Sequence, residues 1–185
     1  MRKYLPLFIF LMFFSFFLGV QIVFNDLDIF VSSQTDKTGI YEQYQKAFKE
    51  TVLMTTENNV VKLSDVKSPI VILKFWASWC SPCLDEFKAL VEFKKKFSDE
   101  QIVVFAITGE HHHRLNEINK AKRKVGINFP VILDHTGKIF SRFQINKIPS
   151  SIIFKDGKVF KHSNDESDLW NRDKLDRLYN LLKIR

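Results

Sequence analysis

Cysteine is almost absent from this chain, whose 185 residues include only Cys80 and Cys83. Two neighbouring cysteines do not make the disulfide framework of a small secreted domain. A single link that closes so few residues removes little entropy from the unfolded chain, so it would stabilise the fold only weakly. Internal repeats and low-complexity tracts are also absent after the N-terminal segment. The two thiols are therefore better explained by chemistry than by stability.

Blocks of like charge are absent as well. The formal net charge is +7, but acidic and basic residues alternate along the chain, as in Asp85-Glu86-Phe87-Lys88. Nucleic-acid binding needs a basic patch or stripe, so we expect no nucleic-acid partner and interpret the charges mainly as solvated faces. With the N-terminal segment set aside, the chain has the length of one ordinary domain with a hydrophobic core.

The one long hydrophobic run lies at the N-terminus, where two basic residues precede about twenty uncharged ones, enough for one membrane-spanning helix. Two alternatives are a retained anchor and a cleaved signal peptide. We favour an anchor over residues 1–25, in the membrane through residues 4–24, because a cleavage site ending at Gly19 would have Phe17 where a small residue belongs. Basic residues before the run and acidic ones after it put the rest of the chain outside the cytoplasm. No cysteine lies near this end, so there is no lipobox.

The remainder of the chain alternates between strand and helix patterns. Residues 26–47 mix polar and isolated apolar residues and are interpreted as a linker that can end in a short helix, and residues 48–185 as one domain. Strands alternating with helices, followed by a hairpin at Asp156-Gly157 and a final apolar helix face, predict an α/β domain. Its mixed central sheet should carry helices on both faces, with the parallel strands first and the antiparallel strands last.

The cysteine pair is expected at a junction between a strand and a helix. The run PIVILKFWA fits a strand buried on both faces, and apolar residues at helical spacing follow as far as Phe97. Unpaired N–H groups and the positive end of the helix dipole would face the sulfur of Cys80 and favour its reactive thiolate form. Pro82 suits the first helical turn. We expect an exposed Cys80 that attacks a partner and a sheltered Cys83 that then releases it.

Two stretches carry a family resemblance. FWASWCSPC after a buried strand and IPSSIIFKDGKV nearer the C-terminus resemble the active site and the cis-proline hairpin of the thioredoxin superfamily. The resemblance covers residues 48–183 and implies a thioredoxin fold. The N-terminal anchor, an extra strand and helix around residues 112–133, and Glu86 are similar to the TlpA-like branch. Members of that branch are anchored bacterial oxidoreductases that face the periplasm or the outer surface of the membrane, and they often reduce apocytochrome c or other exported thiol proteins.

The resemblance also implies how a substrate would bind. Pro149 would follow a cis peptide bond beside the disulfide, which is an uncommon conformation in folded proteins. Ile148 would offer backbone groups to an extended substrate. Trp79 would line the substrate face, together with Ser81 and Pro82 between the two cysteines.

Four neighbouring positions have other expected roles. Trp76 should pack in the core. Glu86 matches an acidic residue that, in some relatives, helps to move a proton to or from the inner cysteine; the alternative is an ordinary exposed carboxylate. Lys74 replaces an acidic or amide residue behind the inner cysteine, where an inward ammonium would favour the thiolate and one that extends to the edge would have no effect. Lys88 replaces a helix-kinking proline, so the helix should run straighter.

Three consecutive histidines, His111-His112-His113, do not predict a metal site. Consecutive residues at a helix start point in different directions, so a single ion could not easily use all three. We interpret them as a solvated loop and first helical turn.

The resulting prediction is an anchored thiol-disulfide oxidoreductase of the cell envelope, acting as a reductant because Ser81-Pro82 lacks the histidine of strongly oxidising relatives. Exported thiol or disulfide proteins would be its substrates, a membrane or periplasmic protein would recharge the pair, and cytochrome c maturation is one implied role. The dithiol carries the electrons, so no metal or organic cofactor is expected. The alternative is a copper-binding chaperone in which Cys80, Cys83 and a histidine hold Cu(I). A redox-inactive module is disfavoured because both cysteines are present.

Overall fold

The computed structural model describes residues 12–17, 20–21, 39–163 and 180. The chain separates into two compact units, Met1–Glu42 and Gln43–Arg185. Among the described residues, no helix is both long enough and apolar enough to span a bilayer. The anchor predicted through residues 4–24 lies mostly outside the described residues, so it stays a prediction.

The end of the predicted linker is helical, as the sequence analysis allowed. Residues 39–50 form a helix, α1, and its Tyr44, Ala47 and Phe48 are buried. The rest of the predicted linker, residues 26–38, lies outside the described residues, as does the final helix expected around Leu175.

The second unit is built around a mixed five-stranded sheet in the order β5-β4-β3-β6-β7, with β3, β4 and β5 parallel and β6 and β7 antiparallel. An antiparallel hairpin of β1 and β2 forms a separate small sheet. The mixed sheet confirms the predicted order of parallel and antiparallel strands. After α1 the elements are β1 (Val52–Met54), β2 (Val60–Lys62), β3 (Ile70–Trp76), α2 (Ser81–Lys94), β4 (Ile102–Thr108), α3 (Leu115–Val125), β5 (Val131–Leu133), α4 (Lys138–Arg142), β6 (Ser150–Lys155) and β7 (Lys158–Ser163).

Strand β3 is buried along its whole length, as its continuous apolar run predicts. Ile72 and Trp76, on one face, belong to a core that also includes Phe87 of α2 and Ile118 of α3. On the other face, the Phe75 ring lies 5.1 Å from that of Phe140 in α4. Helices therefore cover both faces of the sheet, and each fully buried side chain of this size contributes about 1.5–3 kcal/mol to folding.

Two backbone conformations follow from the local sequence, and the second confirms the predicted hairpin. Gly126 ends α3 with a φ of 77°, a left-handed conformation that glycine adopts without a steric penalty. Asp156 and Gly157 join β6 to β7 with φ values of 52° and 71°. Positive φ at both central residues is what a tight two-residue hairpin requires.

Candidate active site

Both cysteines lie where β3 leads into α2. Cys80 is the N-cap residue of the helix, and its Sγ accepts a hydrogen bond from the Cys83 backbone N–H at 3.3 Å. Pro82 occupies the first turn, where its missing N–H leaves no bond unmade. The two sulfurs form a disulfide. The junction therefore has the predicted geometry, with a backbone N–H of the first helical turn directed at the sulfur of Cys80.

The degree of exposure differs from the sequence-based expectation for Cys80. Its exposed fraction is 5% and that of Cys83 is 0%, so Cys83 is sheltered as expected but the prediction of an exposed Cys80 is wrong. Ala77 belongs to the same hydrophobic cluster as Cys80, and half-buried Ile148 packs against that cluster. Ile148 comes from a distant part of the chain, so the local sequence pattern around Cys80 does not show this packing.

Surface side chains surround the buried pair. Ser81 and Pro82 are exposed, and Trp79 is the most prominent because 68% of its surface is accessible. Large aromatic side chains at the surface are common at interaction sites. Trp76, by contrast, is fully buried and packs edge-to-face on Phe87, as predicted.

The proline loop meets the cysteines at the same end of the sheet. The Ile148–Pro149 peptide bond is cis, as the resemblance implies. Ser150, which follows it, pairs with Phe75 of β3, so Pro149 lies beside the strand end from which the cysteine loop departs. Both Ile148 and Pro149 are half-buried.

A buried ion pair lies beneath α2. Lys74, in the middle of β3, is fully buried, and its Nζ donates to Glu86 and, at 3.1 Å, to the hydroxyl of Ser151. Glu86 is one helical turn beyond Cys83 and is also buried. The ammonium therefore points inward, and the alternative of an ordinary exposed carboxylate at Glu86 is wrong.

Burial lowers the pKa of Lys74, and the attraction and hydrogen bond of Glu86 oppose that shift. A buried ammonium needs such a partner because removing a charge from water costs several kcal/mol. This partner weakens the effect that the sequence analysis expected of an inward Lys74 ammonium, which was to favour the thiolate of the inner cysteine. The charge of Lys74 is balanced by Glu86 first, so its attraction for a thiolate at Cys83 is reduced.

Sequence reasoning missed Glu110, which holds the loop in front of Cys80. Its carboxylate accepts hydrogen bonds from the Ser78 N–H at 2.6 Å, the Ser78 hydroxyl at 2.7 Å and the Thr108 hydroxyl at 3.1 Å. Arg114 adds an ion pair at 2.8 Å. Burial alone would raise the pKa of Glu110, but these hydrogen bonds outweigh it and hold the pKa below its usual value. Glu110 thus fixes the backbone two residues before Cys80.

A signal for this contact was present in the sequence. Ser78 follows strand β3 and Glu110 follows strand β4, and these two strands are parallel neighbours. Residues that follow the carboxyl ends of adjacent parallel strands meet at one edge of the sheet, where sites commonly form. Glu110, a carboxylate just after a buried strand, was therefore a candidate site residue, although hydrophobic periodicity alone did not identify it.

The remaining predicted features are local. Lys88 is exposed and pairs with Asp85, and α2 runs unbroken from Ser81 to Lys94. His112 lies in a short 3-10 turn before α3, with its ring centroid 5.6 Å from that of His135. Within the described part of the chain, no group of three or more His, Cys, Asp or Glu side chains is arranged to hold a metal ion.

Comparison with known sequences identifies relatives of this domain. The model of the AhpC/TSA family matches residues 44–162. The thiol-disulfide oxidoreductase ResA of Bacillus subtilis (strain 168) is 31% identical over 112 residues, which cover 60% of this chain and 61% of the relative. ResA of Geobacillus thermodenitrificans (strain NG80-2) is 27% identical over 72% of this chain and 75% of its own length. The chain thus spans about three fifths of the Bacillus relative.

Solved structures share the fold. A secreted Mycobacterium tuberculosis disulfide oxidoreductase homologous to Escherichia coli DsbE matches with a TM-score of 0.61 and 16% identity, over 75% of this chain and 97% of that one. A putative thiol:disulfide interchange protein DsbE from Chlorobium tepidum matches with a TM-score of 0.58 and 24% identity, over 72% and 90% of the two chains. The predicted thioredoxin-like α/β fold, and with it the resemblance read from the two sequence stretches, is confirmed.

Proposed function

Since this chain belongs to the AhpC/TSA family, we propose that it is a thiol-disulfide oxidoreductase in which Cys80 and Cys83 alternate between a dithiol and a disulfide. The observation that carries the proposal is the placement of both sulfurs at the N-terminus of α2. Relatives named thiol-disulfide oxidoreductase ResA support the same activity.

The exchange needs no group beyond the two cysteines. In the reduced protein, the Cys83 N–H and the helix dipole favour a thiolate at Cys80. This thiolate attacks one sulfur of a substrate disulfide, and the other substrate sulfur leaves as a thiolate. Cys83 then attacks the Cys80 sulfur and releases the second substrate thiolate. The pair has lost two electrons and the substrate disulfide has gained them.

Neighbouring residues would support these steps. Ile148 and Pro149 would align an extended substrate beside the disulfide, with exposed Trp79, Ser81 and Pro82 completing the contact surface. The Lys74–Glu86 pair would help Cys83 to lose its proton, because Glu86 lies one helical turn away.

We place the reaction at the cell envelope and in the reducing direction. The hydrophobic run through residues 4–24 supports an anchored protein with its catalytic domain outside the cytoplasm. Exported proteins would be substrates, cytochrome c maturation one setting, and a membrane or periplasmic protein would return electrons to the pair. The Ser81-Pro82 dipeptide supports a reductant, since it offers no histidine to stabilise the thiolate form.

Trapping with a Cys83→Ser variant tests the activity and the order of attack. The variant keeps the attacking sulfur but cannot release the substrate, so mixed disulfides should accumulate through Cys80 on non-reducing gels. A Cys80→Ser variant is the matched control and should trap none. Failure of both to trap any substrate, together with tight Cu(I) binding by the reduced protein, would favour the copper-chaperone alternative.

Equilibration with glutathione tests the direction. A reductant should have a potential close to that of thioredoxin, about −270 mV, and a value near −120 mV would contradict it.

A further inference from the structure

A groove opens on the surface directly beside the cysteine loop. It has a volume of about 310 Å³, and one wall is formed by Ser78, Trp79 and Leu84. The opposite wall is formed by the N-terminal approach and exposed face of α3, including Arg114, Lys120 and Lys124. Ser78 and Trp79 immediately precede Cys80. When a substrate cysteine is bonded to the Cys80 sulfur, the substrate residues next to that cysteine would therefore lie in this groove.

The α3 wall of the groove is cationic. Lys120 and Lys124 lie one helical turn apart and are exposed, and no carboxylate among the described residues is within ion-pair distance of either one. The single acidic residue in the lining is Glu117. Arg114, the third cation, is already engaged by buried Glu110.

Two other exposed lysines of this half of the domain are each paired with a neighbouring carboxylate. Lys88 on α2 pairs with Asp85 at 2.8 Å, and Lys95, the C-cap residue of α2, pairs with Glu92 at 2.6 Å. The hydrogen bond from Lys88 is the main cause that lowers the pKa of Asp85. The charge of Lys124 lowers the same pKa, but it is the smallest of the causes. The two groove lysines therefore remain available to an external anion.

We propose that this groove selects substrates in which an acidic residue flanks the reactive cysteine. The proposal rests on the function proposed above and adds the substrate class. As an extended segment meets Cys80, its flanking carboxylate lies against Lys120 and Lys124, and Trp79 covers the adjacent apolar part. Charges at the rim of a binding site act mainly on the rate of association, so the preference appears in the rate of the first exchange step.

The test uses the reduced full chain in a non-ionic detergent and three short peptides that differ only in the residues next to one cysteine: Asp, Ser or Lys. Each cysteine carries thiopyridine through a disulfide. Attack by Cys80 breaks that bond, releases pyridine thiolate, which is measured by its absorbance, and leaves the peptide on Cys80; Cys83 then displaces the peptide thiolate. The acidic peptide should react about two- to fivefold faster than the neutral peptide, and the basic peptide should react more slowly than the neutral one. Added salt should reduce these differences in rate.

Charge reversal on α3 locates the effect. Lys124→Glu and Lys120→Glu should each abolish or reverse the preference for the acidic peptide. Arg123→Glu is the matched control, because Arg123 is exposed on the same helix but does not line the groove; it should keep the preference. An equal loss in all three variants would overturn the groove assignment in favour of a general charge effect.

The uncharged reagent hydroxyethyl disulfide separates the two proposals. All three variants should react with it at the rate of the unaltered protein, since it carries no charge for these side chains to attract or repel. If the unaltered protein reacts with hydroxyethyl disulfide but does not distinguish the three peptides, the groove proposal is wrong and the proposed function stands. If it reacts with no disulfide, the proposed function itself fails.

Discussion

One buried carboxylate follows the cysteine pair in α2 and another binds the loop that precedes it, and the two are stabilised in different ways. Glu86, on the buried face of α2, faces a single buried ammonium on Lys74. Glu110, at the end of β4, accepts hydrogen bonds from a backbone N–H, two hydroxyls and Arg114. One site is a pair of opposite charges inside the core, and the other is a set of donors around one charge.

This difference separates two tasks. A buried ion pair is a weak source of stability, because desolvation of both charges offsets their attraction, but the loss of one partner leaves an isolated buried charge. A carboxylate with several donors keeps its charge at low cost and fixes the groups that donate to it. Glu86 is therefore suited to charge balance beside Cys83, and Glu110 to holding the Ser78 backbone in place.

The largest effect should come from splitting the buried pair. Lys74→Met leaves Glu86 without its cation inside the core and should lower the free energy of unfolding by about 3–5 kcal/mol. Urea denaturation followed by circular dichroism measures the change. The double variant Lys74→Met/Glu86→Leu removes both charges and should recover most of the loss. A double variant that is less stable than Lys74→Met would contradict the idea that the isolated carboxylate causes the loss.

Removing the second carboxylate should have a smaller effect on stability and a separate effect on rate. Glu110→Ala strands the Ser78 N–H and should cost about 1–3 kcal/mol. Because the cysteine loop loses its support, thiol-disulfide exchange with a peptide disulfide should also slow at a protein concentration and temperature where the variant is still folded. Glu110→Gln keeps an acceptor and should restore part of the rate. Unchanged exchange in Glu110→Ala would mean that Glu110 only stabilises the fold.

The contribution of Glu110 to stability should depend on pH. The pKa of Glu110 is lower in the folded than in the unfolded chain. Between these two pKa values the unfolded chain binds more protons than the folded chain, so stability rises with pH. Its contribution is complete above the ordinary pKa of 4.5 and is lost as the pH falls through the lower folded value. The stability difference between the unaltered protein and Glu110→Gln, measured by urea denaturation, should therefore shrink below about pH 4.5. A stability difference that stays constant down to pH 3 would argue against a lowered pKa for Glu110 in the folded chain.

The smallest effect is expected for an exposed pair on the same helix as Glu86. Lys88 and Asp85 are both largely exposed, and solvent screens such pairs. Lys88→Ala should leave the urea midpoint indistinguishable from that of the unaltered protein. A loss comparable to that of Lys74→Met would remove the distinction between buried and exposed charges on which the comparison depends.

The fold was predictable because its signals are local. The apolar run of β3, the Asp156-Gly157 turn and Gly126 at the end of α3 each determine a backbone conformation from a few adjacent residues. The strand, cysteine, helix order at Cys80 was predictable for the same reason. The burial of Cys80 was not, because Ile148, from a distant part of the chain, packs against the cluster that contains it.

By itself, the sequence determined that two cysteines begin a helix after a buried strand, because hydrophobic periodicity and Pro82 act within one or two turns. Tertiary structure alone decided that Lys74 turns inward to Glu86 and that Glu110 reaches Ser78. Each of these contacts joins side chains on different elements, and the low dielectric of the core makes the pairing of a buried charge depend on what the rest of the fold brings within hydrogen-bond distance.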